Sequence, residues 1–284
     1  MIPTLFRFQP RILYFYVLLL VSLSACTPST QAPLALQAVV PVSDLVVGKN
    51  RLPILLYDGE TLLREVSAVQ IQVVNLQVQS VQAVGSAVNA VNYSDYAVPY
   101  WRADVELPSV GYWGVQASVQ LMDGRSASAE FVVEAKASVT MPTVGTVAIA
   151  SDSPTADNPT DLARITSAYP PDPALYQISI RDALASGKPT VISFATPAYC
   201  QTSYCAPVVE SLSAIAKAFA NKVNVIHVEV YRDYAKQEKS AVMLEWGLST
   251  EPWTFVVDGQ GTVVESLQGP LSERELREIL ERLV

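Results

Sequence analysis

Histidine is almost missing from this chain: one residue in 284, which excludes a metal centre built from several imidazoles. Cysteine is scarce as well. Three residues allow one disulfide at most. Basic residues are outnumbered, 19 Lys and Arg against 27 Asp and Glu, for a formal net charge of −8. That balance excludes the basic footprint of a nucleic-acid-binding protein. The apolar run near the N-terminus, Ile12 to Leu23, is too short to span a bilayer comfortably. What is abundant is apolar residues, half of the total and ample for packed cores, in a length that gives a prior of about two domains.

The N-terminus reads as a targeting segment. Arg7 and Arg11 precede the apolar run, and Leu23-Ser24-Ala25-Cys26 follows it. This tetrapeptide resembles the bacterial lipobox, in which the cysteine is lipid-modified and becomes the new N-terminus. The resemblance implies a signal peptide over residues 1–25, a lipid on Cys26 and an extracytoplasmic chain anchored to the bacterial cell membrane. An ordinary signal peptide or a short anchor helix also places the rest outside the cytoplasm, where disulfides form and persist. With Cys26 assigned to lipid, Cys200 and Cys205 remain as one pair.

Residues 26–36 are polar and rich in Pro, Ser and Thr, a tether. Residues 37–135 carry strand signals throughout. LPILLY runs into Asp58-Gly59, and VQIQVVNLQVQSVQAV alternates with period two. Further strands are expected over Tyr96–Leu107 and Tyr112–Leu121, with Asp123-Gly124 as a hairpin turn before SASAEFVVEA. Short strands without a helix among them argue for an immunoglobulin-like antiparallel sandwich, acting as a spacer or a partner-binding module. Residues 136–173 shift to Pro, Thr, Ser, Ala and Asp, a linker. Residues 174–284 then alternate: a short helix at 179–186, a strand, a helix, the strand KVNVIHVEVY, a helix over 235–246, a hairpin through Asp258-Gly259-Gln260-Gly261, and a final helix from Ser272. Ser272 and Glu275 have capping-box spacing ahead of Leu276, Ile279, Leu280 and Leu283.

Chemistry concentrates after the strand Thr190–Ala195, which is bounded by Pro189 and Pro197. Cys200 and Cys205 follow, and then a helix with Val208, Leu212, Ile215 and Phe219 on one face. A helix N-terminus carries partial positive charge. It stabilises a thiolate, lowering the thiol pKa from about 8.5 toward neutrality. A short loop closed by such a pair gains little chain entropy, so it suits reversible exchange better than structural stapling.

The order of elements from 174 to 284 resembles the thioredoxin fold, and Thr250-Glu251-Pro252-Trp253 resembles the loop in which that family carries a cis-proline before a strand. The resemblance implies an α/β thioredoxin-like domain behind the all-β sandwich. It also implies a thiol–disulfide oxidoreductase, a protein thiol or disulfide partner in the cell envelope, and no cofactor. Pro252 would be cis, and Glu251 and Trp253 would flank the substrate groove; Trp253 reads alternatively as an ordinary core aromatic. The family has two residues between its cysteines, and this chain has four. In one register Cys200 attacks and Cys205 resolves; in the other Cys205 attacks and Cys200 resolves from the loop. Pro207 argues for the second, because proline suits the first turn of a helix starting at Ala206. His227 and Glu229 share a strand face. They are candidates for proton transfer, or alternatively a hydrogen-bonded pair. Two neighbouring families resemble the segment in part. Peroxiredoxins have a Thr or Ser where Thr202 stands before Cys205, but no position matches their active-site arginine. Copper-assembly chaperones of the same fold pair two cysteines with a histidine, for which His227 is the sole candidate. A redox-inert binding protein with a structural disulfide is the remaining reading.

Overall fold

Strand chemistry dominates the first hundred described residues, and it builds two facing sheets. The computed structural model describes residues 34–76, 82–156, 158–200 and 202–284. The leader, Cys26 and most of the tether lie outside them. Among the described residues no helix is long and apolar enough to cross a membrane. The strands are β1 (Leu36–Val39), β2 (Leu45–Val46), β3 (Gly48–Asp58), β4 (Thr61–Leu62), β5 (Val66–Asn75), β6 (Gln82–Asn89), β7 (Val91–Tyr93), β8 (Tyr100–Leu107), β9 (Gly111–Leu121) and β10 (Ser126–Lys136). One sheet runs β1-β3-β8-β7 with β4 on β3, and the other β2-β10-β9-β5-β6.

Alternation decides which side chains meet between them. Leu52, Ile54 and Leu56 of β3 and Ala103 and Val105 of β8 share one apolar cluster with Ile71 and Val73 of β5 and Val115, Ala117 and Val119 of β9. Ser118 and Gln120, the intervening residues of β9, stay exposed. The long alternating stretch is a hairpin rather than one strand: β5 and β6 pair antiparallel, from Gln70↔Asn89 to Asn75↔Gln82.

Residues 137–156 then run along the second group of elements as a packed strap. Met141 and Ala148 are buried, and Val147 forms a bridge with Thr262. The strap ends in a helix the composition did not suggest, α1 (Pro159–Ile165). Asn158 caps it by accepting from the Asp161 N–H at 3.1 Å, and Leu162 is buried beneath. The remaining elements are α2 (Ile180–Ala185), β11 (Thr190–Ala195), α3 (Cys205–Ala218), β12 (Asn224–Glu229), β13 (Tyr231–Asp233), β14 (Glu238–Lys239), α4 (Ala241–Glu245), β15 (Trp253–Val257), β16 (Val263–Gln268) and α5 (Glu273–Leu280).

The central sheet has the order β12-β11-β15-β16; β11 and β12 are parallel and the other neighbours antiparallel. β11 is buried on both faces, as its unbroken apolar run requires. Val191 and Ala195 pack toward α3 and α5, whereas Ile192 and Phe194 pack toward α2 and α4 with Trp246 and Phe255. The helix expected over 235–246 forms only from Ala241. Its first half is the hairpin of β13 and β14, because Asp233 and Tyr234 close a turn onto Lys236 and Gln237, and Ser240 caps the helix at Met243. The capping box of α5 is half made. Ser272 Oγ accepts from the Glu275 N–H at 3.1 Å, but the Glu275 carboxylate turns away to Arg51. The Ser272 N–H donates instead to Tyr100 Oη at 3.0 Å.

That exchange ties the sheets together. Residues Leu34–Val284 form one compact unit. Arg51 of β3 grips Glu275 with two hydrogen bonds of 2.6 and 2.7 Å and donates to the carbonyls of Gln268 and Pro270. Tyr100 donates a short hydrogen bond to the same carboxylate, and Tyr93 Oη donates to Glu278 at 3.0 Å. Burial alone would push the Glu275 carboxyl up; the Arg51 guanidinium, the Tyr100 hydrogen bond and the Arg102 charge together outweigh this and hold it below the usual carboxylate range.

Candidate active site

β11 ends at Ala195, and the loop after it delivers Cys200 and Cys205 to the start of α3. The two are joined as a disulfide, with Cα atoms 6.0 Å apart. Helix α3 begins at Cys205 itself, with Tyr204 at the N-cap position, so Pro207 is its third residue rather than its first or second. The first turn of a helix still tolerates proline, because its N–H has no intrahelical partner there. The two sulfurs differ in access: Cys205 is fully buried and Cys200 partly exposed. Thr202 Oγ1 lies 3.0 Å from Cys200 Sγ and 3.9 Å from Cys205 Sγ.

The Glu251–Pro252 peptide bond is cis, as the resemblance implies, and Glu251 stands directly beside the disulfide. Its Oε2 is 3.7 Å from Cys205 Sγ and accepts from the Thr196 N–H at 2.6 Å. Burial pushes this carboxyl up to about 7, against the pull of the Thr196 N–H, and the nearby Glu229 charge adds to the rise. Glu251 is therefore an acid that changes protonation near neutral pH in contact with the buried sulfur of the pair.

Trp253 departs from the groove position. It is buried, stacked on Phe255 at 5.8 Å, and belongs to the apolar cluster on the α2 and α4 side of the sheet. A strand residue two places before Phe255 shares its face, so Trp253 serves the core.

His227 and Glu229 do not bond to one another. His227 Nε2 donates to the Ala195 carbonyl at 2.9 Å, which leaves Nδ1 to accept from Tyr176 Oη at 2.7 Å. Burial holds this imidazole below its ordinary pKa. Glu229 accepts from the N–H groups of Ser167 and Val230. Ser167 Oγ in turn accepts from the Ala198 N–H at 3.2 Å, so the segment after α1 braces the cysteine loop. Beside Cys200, Tyr199 is half exposed and stacks on Tyr234 at 4.3 Å, and Tyr231 meets Tyr234 edge-on. A cavity of about 770 Å³ opens there, lined by Tyr199, Tyr231, Tyr234, Glu229 and Ile165 among others.

Among the described residues, the donor atoms gathered at the pair are two sulfurs and the Glu251 carboxylate. Copper(I) prefers soft thiolate and imidazole ligands to a hard carboxylate, and His227 is engaged elsewhere, so this donor set does not fit copper. The ionisable group touching the buried sulfur is an acid, which would repel a thiolate and does not do the work of the peroxiredoxin arginine.

A buried strand, a cysteine pair at the head of the following helix, and a cis-proline loop set against that pair together decide the fold of this region. From β11 to α5 the arrangement is similar to the thioredoxin fold. No family model matches the sequence, and no curated protein matches it. Solved structures do. A thiol:disulfide interchange protein of the thioredoxin family from Chlorobium tepidum TLS is 14% identical, with a TM-score of 0.32 over 49% of this chain and 99% of that one. A thioredoxin-like protein from Clostridium perfringens is 24% identical, with a TM-score of 0.27 over 34% of this chain and 71% of that one. An engineered protein is 15% identical, with a TM-score of 0.26 over 37% of this chain and 20% of its own.

Proposed function

We propose that this chain is an extracytoplasmic, lipid-anchored thiol–disulfide oxidoreductase acting on protein disulfides through Cys200 and Cys205. Its all-β part, read as an immunoglobulin-like sandwich, lies in the sequence between the anchor residue Cys26 and the cysteine pair. The observation that carries the reading is a disulfide at the head of a helix with one sulfur reachable, the other buried, and a carboxyl of pKa about 7 touching the buried one.

Access assigns the roles. A partner can reach the sulfur of Cys200 and not that of Cys205, which favours the first register over the one that the position of Pro207 suggested. In the dithiol form, the Cys200 thiolate attacks one sulfur of a partner disulfide. That disulfide breaks, and one partner sulfur leaves as a thiolate and takes up a proton. Cys205 then gives its proton to Glu251 and attacks Cys200 Sγ. The mixed disulfide breaks, and the second partner thiolate leaves and receives a proton. Two electrons and two protons have passed to the partner, and the Cys200–Cys205 bond has formed. Oxidation of a partner dithiol is the same path reversed.

Equilibration with glutathione buffers tests the reading. An exchanging pair should have a reduction potential above about −300 mV. Cys205→Ser should then accumulate mixed disulfides through Cys200, and Cys200→Ser should accumulate few. A pair that stays oxidised in every buffer would leave a structural bridge instead. Stronger trapping by Cys200→Ser would exchange the two roles. Localisation has its own check: intact mass of membrane-extracted protein should show a chain starting at Cys26 with added acyl mass.

A further inference from the structure

The residue that opens α3 is an unusual choice for its position. An N-cap side chain ordinarily accepts a hydrogen bond from the exposed N–H groups of the first turn, and Ser, Thr, Asp and Asn serve there. Tyr204 makes no such cap. Its ring is instead buried in an apolar cluster whose other members, Leu55, Tyr93, Tyr96, Val98 and Tyr100, all come from the sandwich. Tyr93 and Tyr100 stack at 5.0 Å, and Tyr96 meets Tyr100 edge-on at 5.6 Å, a rigid socket. The backbone is held as well. Tyr96 Oη donates to the Tyr204 carbonyl at 3.3 Å, the same carbonyl that accepts the first α3 hydrogen bond, from the Val208 N–H at 3.0 Å. The socket continues into the Tyr100–Glu275–Arg51 network, so it does not move independently of α5.

We propose that Tyr204, clasped by Tyr96 and the tyrosine socket of the sandwich, is the positioning residue of the redox pair. The sandwich thereby forms part of the redox site. The inference rests on the exchange reading above. Cys205 directly follows Tyr204, so fixing Tyr204 fixes the buried sulfur at the helix end and beside Glu251. Of the two cysteines, Cys200 is then the one that moves when the bond opens. A fixed resolving thiol also meets Cys200 at a high effective concentration, which favours the disulfide.

The test compares Tyr204→Ala, Tyr204→Phe and Tyr96→Phe in the full chain. In Tyr204→Ala the equilibrium constant for oxidation by glutathione should fall about tenfold, a rise of about 30 mV for this two-electron couple. Tyr204→Phe keeps the ring and should stay within about twofold of the parent. Tyr96→Phe removes one oxygen and should fall between them; it also serves if Tyr204→Ala does not fold. A second readout needs no catalysis: with Cys200→Ser as background, alkylation of Cys205 should speed up at least tenfold on adding Tyr204→Ala. Lower melting temperatures with unchanged potential and unchanged alkylation would overturn the proposal and leave Tyr204 an ordinary core residue. A parent that never exchanges with glutathione sinks the oxidoreductase reading alone, and the alkylation rates then decide the clamp.

Discussion

Glu251 sits where its charge matters twice. In the oxidised protein its carboxyl, pushed up by burial to about 7, faces the sulfur that becomes a thiolate when a partner attacks Cys200. Protonated, it can hand a proton to that leaving sulfur; ionised, it repels the new charge. The rate of reduction of the disulfide by a small dithiol, expressed per attacking thiolate, should therefore fall as pH rises through about 7. Glu251→Gln keeps the hydrogen bond from the Thr196 N–H and should flatten that profile. A profile with the same inflection in the variant would remove Glu251 from the proton path. The same group sets a stability trend. A folded pKa above the usual 4.5 means that ionisation opposes folding, so stability is highest below about 4.5 and declines as pH rises to about 7. Glu251→Gln should match the parent at pH 4 and exceed it by about 1–2 kcal/mol at pH 8, after allowance for solvent screening. Denaturant melts at the two pH values measure the difference.

Elements were legible in proportion to how far local signals decided them. β11 could be read from its apolar run and flanking prolines, and α3 from Val208, Leu212, Ile215 and Phe219, all buried in the structure. The Asn158-Pro159 start of α1 was a cap-and-proline signal hidden in linker-like composition. Residues 235–246 carried helix formers, yet the turn at Asp233–Gln237 prevails over propensity in the first half. Within the site, the cysteines were visible in the sequence, and the cis bond at Pro252 was implied by the resemblance. The socket around Tyr204 was not, because Tyr96 and Tyr204 are 108 residues apart and only the tertiary fold brings them together. The half-made cap of α5 teaches the same point: Ser272 caps as its spacing implies, but Glu275 follows a distant arginine. Ser272→Ala should cost about 1 kcal/mol, the usual loss for an N-cap, read as a shift in the urea midpoint. A loss of several kcal/mol would mean that Ser272 also supports the Tyr100 contact through its position.

Across the whole molecule, the junction between the sandwich and the thioredoxin-like region is polar at its centre. Arg51, Tyr100 and Glu275 form a buried cluster with a single carboxylate at its core, its side chain 1% exposed, and the partly exposed Arg102 approaches the same carboxylate at 3.5 Å. Such pairs add little net stability over an apolar equivalent, but removing one partner strands the other charge, at a cost of about 3–5 kcal/mol. Their geometry also fixes register, since the two-pronged Arg51 grip accepts one angle between β3 and α5. Glu275→Gln should lower stability by about 3–5 kcal/mol near pH 7. It should also split a single calorimetric transition into two, as the sandwich and the redox region lose their common anchor. The sign with pH is opposite to that of Glu251. The folded carboxyl titrates below the usual 4.5, so the stabilisation is present above about 4.5 and is lost as pH falls through the lower folded value. The parent melting temperature should drop across that acid range, and the variant, lacking the group, should show a shallower fall. Calorimetric scans between pH 3 and pH 7 would show it, and parallel curves for parent and variant would mean that another carboxylate governs acid unfolding.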